Sequence, residues 1–381
     1  MTRMTDPLAT DPLAHTRDLF DLDDDVVYLD GNSLGAPPKA VAERVQDVVR
    51  NQWGRRLIRS WSEGWWEAPE RVGNRIGRLV GAKPGQVVVA DSTSVNLFKA
   101  LMAAVRNTDR MEIVVDAGTF PTDGYIARSV AELTGLALRP APPEELDLRD
   151  TTAVVLLNHV DYRTGRLLDM AKLTEQVHAV GAKVVWDLCH SAGVLPIELD
   201  ALGVDLAVGC TYKFLNGGPG SPAFIYVPKA AQHAFEQPLT GWTGHEVPFA
   251  MSPEYTPDPG VSRARVGTPD IISMLALDAA LDVWDHVDLK DVRAKGLRLT
   301  DHFRGLVQDL PGIEVITPAD EWRGHQISLR HPEAGRLIDQ LIERQVIGDH
   351  RPPDVLRFGF APLYNTFDDA ERAATTLKEL L

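Results

Sequence analysis

The chain has 381 residues, 44% of them hydrophobic and 24% charged, an ordinary globular composition with room for one large domain and one smaller one. Its net charge of −15 argues against broad association with nucleic acid or anionic membrane, so neither partner is expected, and an anionic substrate must be drawn in by local cations and helix N-termini. Two cysteines, Cys189 and Cys210, cannot build a disulfide scaffold and stand outside any metal-type spacing, so no metal is expected; with no secretory pattern and no apolar run near membrane length, the expected compartment is the reducing cytoplasm.

In chain order, residues 1 to about 25 lack a sustained apolar period, contain Pro7 and Pro12, and gather Asp18, Asp21, Asp23, Asp24 and Asp25 on what reads as a solvated face. An arm or short helix is expected there, within an N-terminal segment 1–42. From Gln86 short β-branched runs alternate with helical stretches. The strand candidates are Val87–Ala90, Glu112–Asp116, Ala153–Asn158, Val184–Asp187, Leu206–Gly209 and Ala223–Val227, with helices such as Leu97–Val105 and Met170–Val180 between some of them. That alternation predicts an α/β fold with a mostly parallel sheet covered by helices, in a large domain over 43–268. The stretch from Gln237 to Arg265, rich in Pro, Gly and Trp, reads as a long functional loop. Thr268-Pro269 is expected to cap and open a long helix with Ile271, Ile272, Leu275, Ala279 and Val283 on one face. A new helix–strand–helix pattern from about Lys290 completes a smaller C-terminal α+β domain within 269–381.

The chemistry-bearing residues fall at strand ends. Lys213 follows the apolar run Val204–Gly209, with Tyr212 and Phe214 beside it and a glycine-rich turn behind. Asp187 and His190 close the run at Val184. A lysine and an aspartate at the ends of two neighbouring strands suit pyridoxal 5'-phosphate: the lysine forms the Schiff base, and the carboxylate keeps the pyridine nitrogen protonated so that the ring accepts electrons. In parallel sheets ligands bind beyond the carboxyl ends of the strands, where Asp187, the Ser92–Ser94 turn and the lysine turn would all lie. Ser92, Thr93 and Ser94 open a helix, which reads either as plain capping or as a phosphate cup. Phe120 offers a ring for stacking and Asp123 a carboxylate, although Pro121 alone would also explain a turn. His190 is either a partner orienting Asp187 or a satisfied edge histidine, and Asn158-His159, ending a further strand, either lines the same crevice or leaves His159 simply half-buried. Trp242, between glycines, presents an indole N–H to an acceptor or fills an ordinary loop. Arg357, inside an apolar strand-like run, must be paired, either by a substrate carboxylate or by an internal Asp or Glu.

Taken together these segments resemble the kynureninase family of fold-type-I pyridoxal-phosphate enzymes. The matching stretches are Tyr28-Leu29-Asp30-Gly31-Asn32-Ser33-Leu34-Gly35, Val95-Asn96-Leu97, Phe120-Pro121-Thr122-Asp123, Asp187-Leu188-Cys189-His190, Tyr212-Lys213, Gly241-Trp242 and Pro362-Leu363-Tyr364-Asn365. The resemblance implies hydrolysis of L-kynurenine to anthranilate and L-alanine, a step of tryptophan degradation. It implies Lys213 as the Schiff-base residue, Tyr212 as a proton donor, and Asp187 as the pyridinium partner. Phe120 is the implied stacking residue, with Thr93, Ser94, Asp123, His190 and Tyr212 as further cofactor contacts. Trp242 and Thr268 are implied to reach the cofactor across the interface of a homodimer, and Arg357, with Asn32 and Ser33, to hold the substrate. Two departures stand out: Cys189 replaces a smaller residue, and the Trp53–Trp61 stretch lacks a histidine while Thr268 stands where an asparagine contacts a ring hydroxyl in animal members. That pattern matches the bacterial, kynurenine-preferring type. The competing readings are an aminotransferase or cysteine desulfurase of the same fold, or a silent kynurenine-binding or cofactor-binding protein. A desulfurase needs an exposed cysteine on a mobile loop, and no cysteine follows Cys210.

Overall fold

The computed structural model describes residues 11–106 and 108–381; the start of the arm, including Pro7, lies outside them. The arm enters as a 3₁₀ turn, Ala14–Leu19, followed by β1 (Val27–Tyr28) and α1 (Lys39–Asp47). A π-helical segment, Val48–Arg56, leads to α2 (Ala68–Leu79) and then to the main alternation: β2 (Val87–Val89), α3 (Thr93–Val105), β3 (Glu112–Asp116), α4 (Pro121–Thr134), β4 (Ala137–Ala141), β5 (Thr152–Asn158), α5 (Met170–Ala179), β6 (Lys183–Asp187), β7 (Leu206–Gly209) and β8 (Phe224–Tyr226). Beyond the long loop come α6 (Ile271–Ala280) and α7 (Leu289–Val307). They are followed by β9 (Glu314–Val315), β10 (Gln326–Arg330), α8 (Ala334–Glu343), β11 (Val346–Ile347), β12 (Asp349–Arg351), β13 (Val355–Gly359) and α9 (Phe367–Leu380).

The strands β2 to β8 form one seven-stranded sheet in the order β2-β8-β7-β6-β5-β3-β4. Every pair from β7 to β4 is parallel, and β8 runs antiparallel to both β7 and β2. Strands β3, β5, β7 and β8 are buried along their whole length, as expected for a sheet covered on both faces. One face packs on Val88, Leu97, Leu101, Val130 and Leu156, the other on Val72, Ile76, Val155, Trp186 and Leu277. The mostly parallel, helix-covered sheet predicted from the alternation is therefore present, with each of the six strand candidates in it. β4 was not anticipated. Its sequence, Ala-Leu-Arg-Pro-Ala, has no apolar run and carries Pro140, which an edge strand tolerates because one side of it needs no partner.

A second sheet, β12-β13-β10-β9, is antiparallel and packs with α7, α8 and α9 around Leu299, Phe303, Leu337, Phe358 and Leu377. The N-terminal segment contributes to this core. β1 pairs in parallel with β11, and Val27 and Leu29 are buried among the C-terminal residues. The helix after the long loop corrects one expectation. Its cap is Asp270, whose side chain faces Ser273 N, and not Thr268; Pro269 precedes the cap and is not the first helical residue. The carboxylate of Asp270 is the stronger acceptor for a helix N-terminus, and its charge suits the dipole.

Candidate active site

Asp187, Asp123 and Lys213 sit at or just beyond strand ends of the large sheet. β6 runs straight into Asp187, which is buried, and its Oδ1 accepts the amide of Cys189 at 2.6 Å. The neighbouring β5 ends at Asn158, whose Nδ2 donates to Asp123 Oδ2 at 2.9 Å, and Thr119 closes the other side of the same amide. Asp123, in the first turn of α4, is hydrogen-bonded to Asp187. Burial and the adjacent Asp187 charge push its pKa well above the usual carboxylate range. Asp123 therefore holds its proton more tightly than an ordinary carboxyl does.

Lys213 stands on a turn closed by Asn216 N donating to Lys213 O at 2.9 Å. Asn216 takes a left-handed φ of 60°, which asparagine tolerates better than most residues, and its side chain ties the turn to Ala36 O at 3.0 Å. Lys213 Nζ lies 2.9 Å from His190 Nε2. Burial, Lys213, Arg357 and Arg351 together hold His190 well below the usual imidazole range, so the ring is neutral and accepts from the ammonium. The reading of His190 as an orienter of Asp187 gives way to direct contact with the lysine. Tyr212, next door, is held above the usual phenol range mainly by burial, with Cys210, Cys189 and Asp187 adding to it, so it keeps its proton.

The N-terminus of α3 faces the same region. Ser92 caps it by accepting from Val95 N, Thr93 and Ser94 begin the helix, and Thr93 Oγ1 is 3.8 Å from Cys189 Sγ. A cavity of about 640 Å³ opens beyond Thr93 and Tyr212, with Ser92, Arg265 and Thr268 also in its wall. Lys213, Asp187 and Asp123 are not part of that wall, to which Tyr212, the chain neighbour of the lysine, belongs. Phe120 is 41% exposed, with its ring edge-on to Tyr162 at 5.2 Å. Trp242 packs on Trp66 and Phe249, at 5.4 and 5.8 Å, and Trp66 continues to Trp61 and Trp65 through further edge contacts. His159 is fully buried, edge-on to Trp186, and held near pKa 3 by burial and Arg293; it belongs to the core beneath the site.

Arg357 lies in the middle of β13 and is 1% exposed. Its fork faces Asp349, with Nε at 2.7 Å from Oδ1 and Nη2 on Oδ2; Nη2 also donates to Ser33 Oγ at 3.1 Å, and Nη1 to the carbonyl of Tyr162. The internal carboxylate considered from sequence is thus present, and Ser33 joins the arginine as well. Asn32, by contrast, is fully buried behind Ser33, bonded to Gln326 Oε1 at 3.1 Å and packed where a side chain on Gly359 would otherwise sit. Sequence reasoning named Asn158 as a crevice residue but missed Asp349, Arg351 and Tyr162. A signal for the first existed: Asp349 and Arg357 flank the Pro352-Pro353-Asp354 turn and fall opposite each other in the β12–β13 ladder, the spacing of a cross-strand ion pair.

A paired carboxyl dyad, a lysine one turn from the next strand, a hydroxyl-rich helix N-terminus and a flat exposed ring are the parts that a pyridine ring with an aldehyde and a phosphate requires, so these residues fit pyridoxal phosphate. The fold is that of the fold-type-I enzymes. The structure matches the cysteine desulfurase CsdA of Escherichia coli at a TM-score of 0.83 and 20% identity over 97% of this chain and 99% of that one. It matches a cysteine desulfurase of Thermococcus onnurineus at 0.84 and 19% over 100% and 99%. Residues 292–377 match the kynureninase C-terminal domain. The chain is 49% identical to the kynureninase of Deinococcus radiodurans, covering 98% of this chain and 94% of that protein, and 48% identical to that of Burkholderia pseudomallei, covering 97% and 93%. The chain belongs to the kynureninase family.

Proposed function

We propose that this protein is a pyridoxal-phosphate-dependent hydrolase that cleaves the β–γ carbon bond of L-kynurenine to give anthranilate and L-alanine. The observation that carries this reading is that Lys213 and the Asp123–Asp187 pair meet at the carboxyl edge of the large sheet, while the Ser33–Arg357 pair of the C-terminal part reaches the same region through Tyr162, which packs on Phe120, in a chain of this family. When bound, the cofactor supplies an electron sink for charge developing on the carbons next to the substrate amine. The protein does the rest. Lys213 would hold the cofactor and then serve as the base, with neutral His190 accepting from its ammonium. Asp187, with Asp123 beside it, would meet the ring nitrogen, and Phe120 the ring face. Thr93, Ser94 and Tyr212 would hold the phosphate at the positive end of α3, and protonated Tyr212 is the proton donor for the carbon released by cleavage. Ser33 and Arg357 take the α-carboxylate, while Asn32 braces them from behind.

We further infer a cytoplasmic homodimer built from an N-terminal arm, a large domain and a small C-terminal domain, in which Trp242 and Thr268 complete the partner's site. Exposed Trp53, Leu57, Ile58 and Met251 support such a partner: Ile58 is 78% and Met251 70% exposed, a lot of bare apolar surface for one protomer. The tryptophans Trp61, Trp65 and Trp66 offer largely apolar walls, the Trp65 indole N–H being committed to Gln52 Oε1, and this favours kynurenine over its 3-hydroxy form. A hydroxyl that enters such a pocket unpaired costs on the order of 1–3 kcal/mol, roughly ten- to a hundredfold in specificity. The test is fluorescence-monitored release of anthranilate, with kcat/KM compared for the two substrates and with Lys213→Ala as control. Turnover by wild type, a ratio favouring kynurenine and silence in the variant are expected. Absence of anthranilate release overturns the reading, and a ratio favouring the 3-hydroxy substrate overturns the pocket assignment.

A further inference from the structure

The carboxylate end of the site holds more positive charge than Arg357 alone supplies. Asp349 accepts from Ser33 Oγ at 2.7 Å, is gripped by the fork of Arg357, and pairs through Oδ2 with Arg351 Nη2 at 2.8 Å. One carboxylate therefore stands between two guanidiniums. Arg351 follows Asp349 by two residues on β12, so both side chains leave the same face of the strand. Arg357 is sealed in, whereas the Arg351 side chain keeps 34% of its surface open, and its Nε is buried with no hydrogen-bond partner among the described residues. Burial and the neighbouring Arg357 lower the pKa of Arg351 despite Asp349, as befits a cation short of counter-charge. The other nearby carboxyl, Asp30, is held at a pKa of about 7 by burial and by Asp349, so near neutral pH it is only about half-ionised and offsets only part of the positive charge. Ser33 Oγ sits between the arginines, 3.1 Å from Arg357 Nη2 and 3.5 Å from Arg351 Nη2. Arg357 Nη1 donates to the carbonyl of Tyr162, whose ring lies edge-on to Phe120 at 5.2 Å, and Gly35, two residues beyond Ser33, donates to Tyr212 O beside Lys213, so the cluster borders the space where the chemistry is placed.

We propose that Arg351 is a second carboxylate-recognising residue of this site: Asp349 clips Arg351 and Arg357 side by side, and the substrate's α-carboxylate is held by both guanidiniums and by the Ser33 hydroxyl. An incoming carboxylate brings the cluster to charge balance and gives Arg351 Nε its missing acceptor, which Asp349, committed to the fork of Arg357, does not provide. Specificity for an α-amino acid over a plain amine follows from this arrangement. The assignment rests on the kynurenine-hydrolysing reading for the identity of the substrate, but the anion site is testable without turnover.

The experiment uses the cofactor-loaded protein and the variants Arg351→Gln and Arg351→Lys. Steady-state kinetics are taken with L-kynurenine. Cofactor absorbance gives the Kd of the product L-alanine and of kynuramine, the same aryl ketone amine without the carboxylate. Arg351→Gln should raise KM for L-kynurenine and Kd for L-alanine by about tenfold to a hundredfold, with kcat reduced by less than about threefold, as for loss of a charged hydrogen bond made in ground and transition states alike. Kynuramine binding should stay as in wild type, and Arg351→Lys, which keeps the charge but loses the fork, should recover part of the L-alanine affinity. Equal weakening toward kynuramine would reduce Arg351 to a structural role, and unchanged L-alanine affinity would remove it from the site. If Arg351→Gln fails to fold, the same comparison of L-alanine with kynuramine is made on Arg351→Lys. Failure of wild type to release anthranilate counts against the proposed reaction alone, because L-alanine binding reads the anion site independently.

Discussion

Gly35 should be the most sensitive residue outside the chemical groups themselves. Its amide donates to Tyr212 O at 2.7 Å, and a Cβ placed on it would lie 2.1 Å from the carbonyl of Lys213, 2.5 Å from Asn216 Nδ2 and 2.8 Å from Asn216 Cα. Ordinary contact begins at 3.4 Å, so Gly35→Ala must push the lysine turn away by about 1.3 Å or move the segment that carries Ser33. Overpacking of this kind costs roughly 1–3 kcal/mol of stability. The larger effect falls on the chemistry, since a displacement of about 1 Å at a reacting group costs on the order of a hundredfold in rate. The assay compares kcat, the visible cofactor band and urea denaturation for Gly35→Ala against wild type. Gly305→Ala in α7, where an added Cβ meets nothing within 4 Å, is the control and should keep full activity with a small gain in stability. A Gly35→Ala enzyme with wild-type kcat would refute the reasoning, because it would show that the lysine turn is not wedged by the Asn-Ser-Leu-Gly segment.

Asp187→Asn should retain the cofactor but lower kcat by about a hundredfold or more, since an amide cannot stabilise the protonated ring nitrogen; near-normal steady-state turnover would reject the assignment. Asp30 gives a pH signature. Its folded pKa of about 7 lies above the ordinary 3.8, so the folded state holds this proton longer than the unfolded chain does, and the associated stability is complete below about pH 4 and lost as pH rises through 7. Urea unfolding should therefore show wild type losing on the order of a few kcal/mol more than Asp30→Asn between pH 4 and pH 8, and parallel curves would contradict it. Mixing Lys213→Ala and Trp242→Ala homodimers under subunit exchange should restore about a quarter of wild-type activity, one intact site in each mixed dimer; a fully active monomer in sedimentation would end the idea of shared sites.

The large sheet was readable because its strands are short, apolar and separated by amphipathic helices, a pattern that burial on both faces enforces. Elements that depend on tertiary pairing were not. β4 is a polar edge strand defined by its neighbour, and β1 and β11, two residues each, exist only because they pair with one another. The cap of α6 was misplaced because Thr268 and Asp270 are both competent N-caps, and the sequence alone does not show where the loop releases the chain. At the site, Lys213, Asp187 and Asp123 were legible because strand ends converge on one edge in any sheet of this kind. Arg357 was ambiguous for a physical reason: its partner Asp349 comes from another strand, and a buried arginine needs such a partner whether or not it also holds a ligand. Arg351 gave no signal, since a solvated arginine next to a proline turn looks the same in sequence.

The pairing of the first strand with the eleventh sets a timetable for synthesis. Ser33 and its partner Asp349 are 316 residues apart in the chain. At about 5–20 residues per second, a ribosome that has just made Ser33 needs roughly 15 to 60 s to make Asp349. Throughout that interval Val27 and Leu29 have no core to enter, because the residues that bury them have not been translated. The large sheet can assemble on the nascent chain, but the proposed carboxylate pocket forms only after Asp349, Arg351 and Arg357 have left the exit tunnel. Until then each nascent chain carries Lys213 without the three residues that would complete that pocket around Ser33.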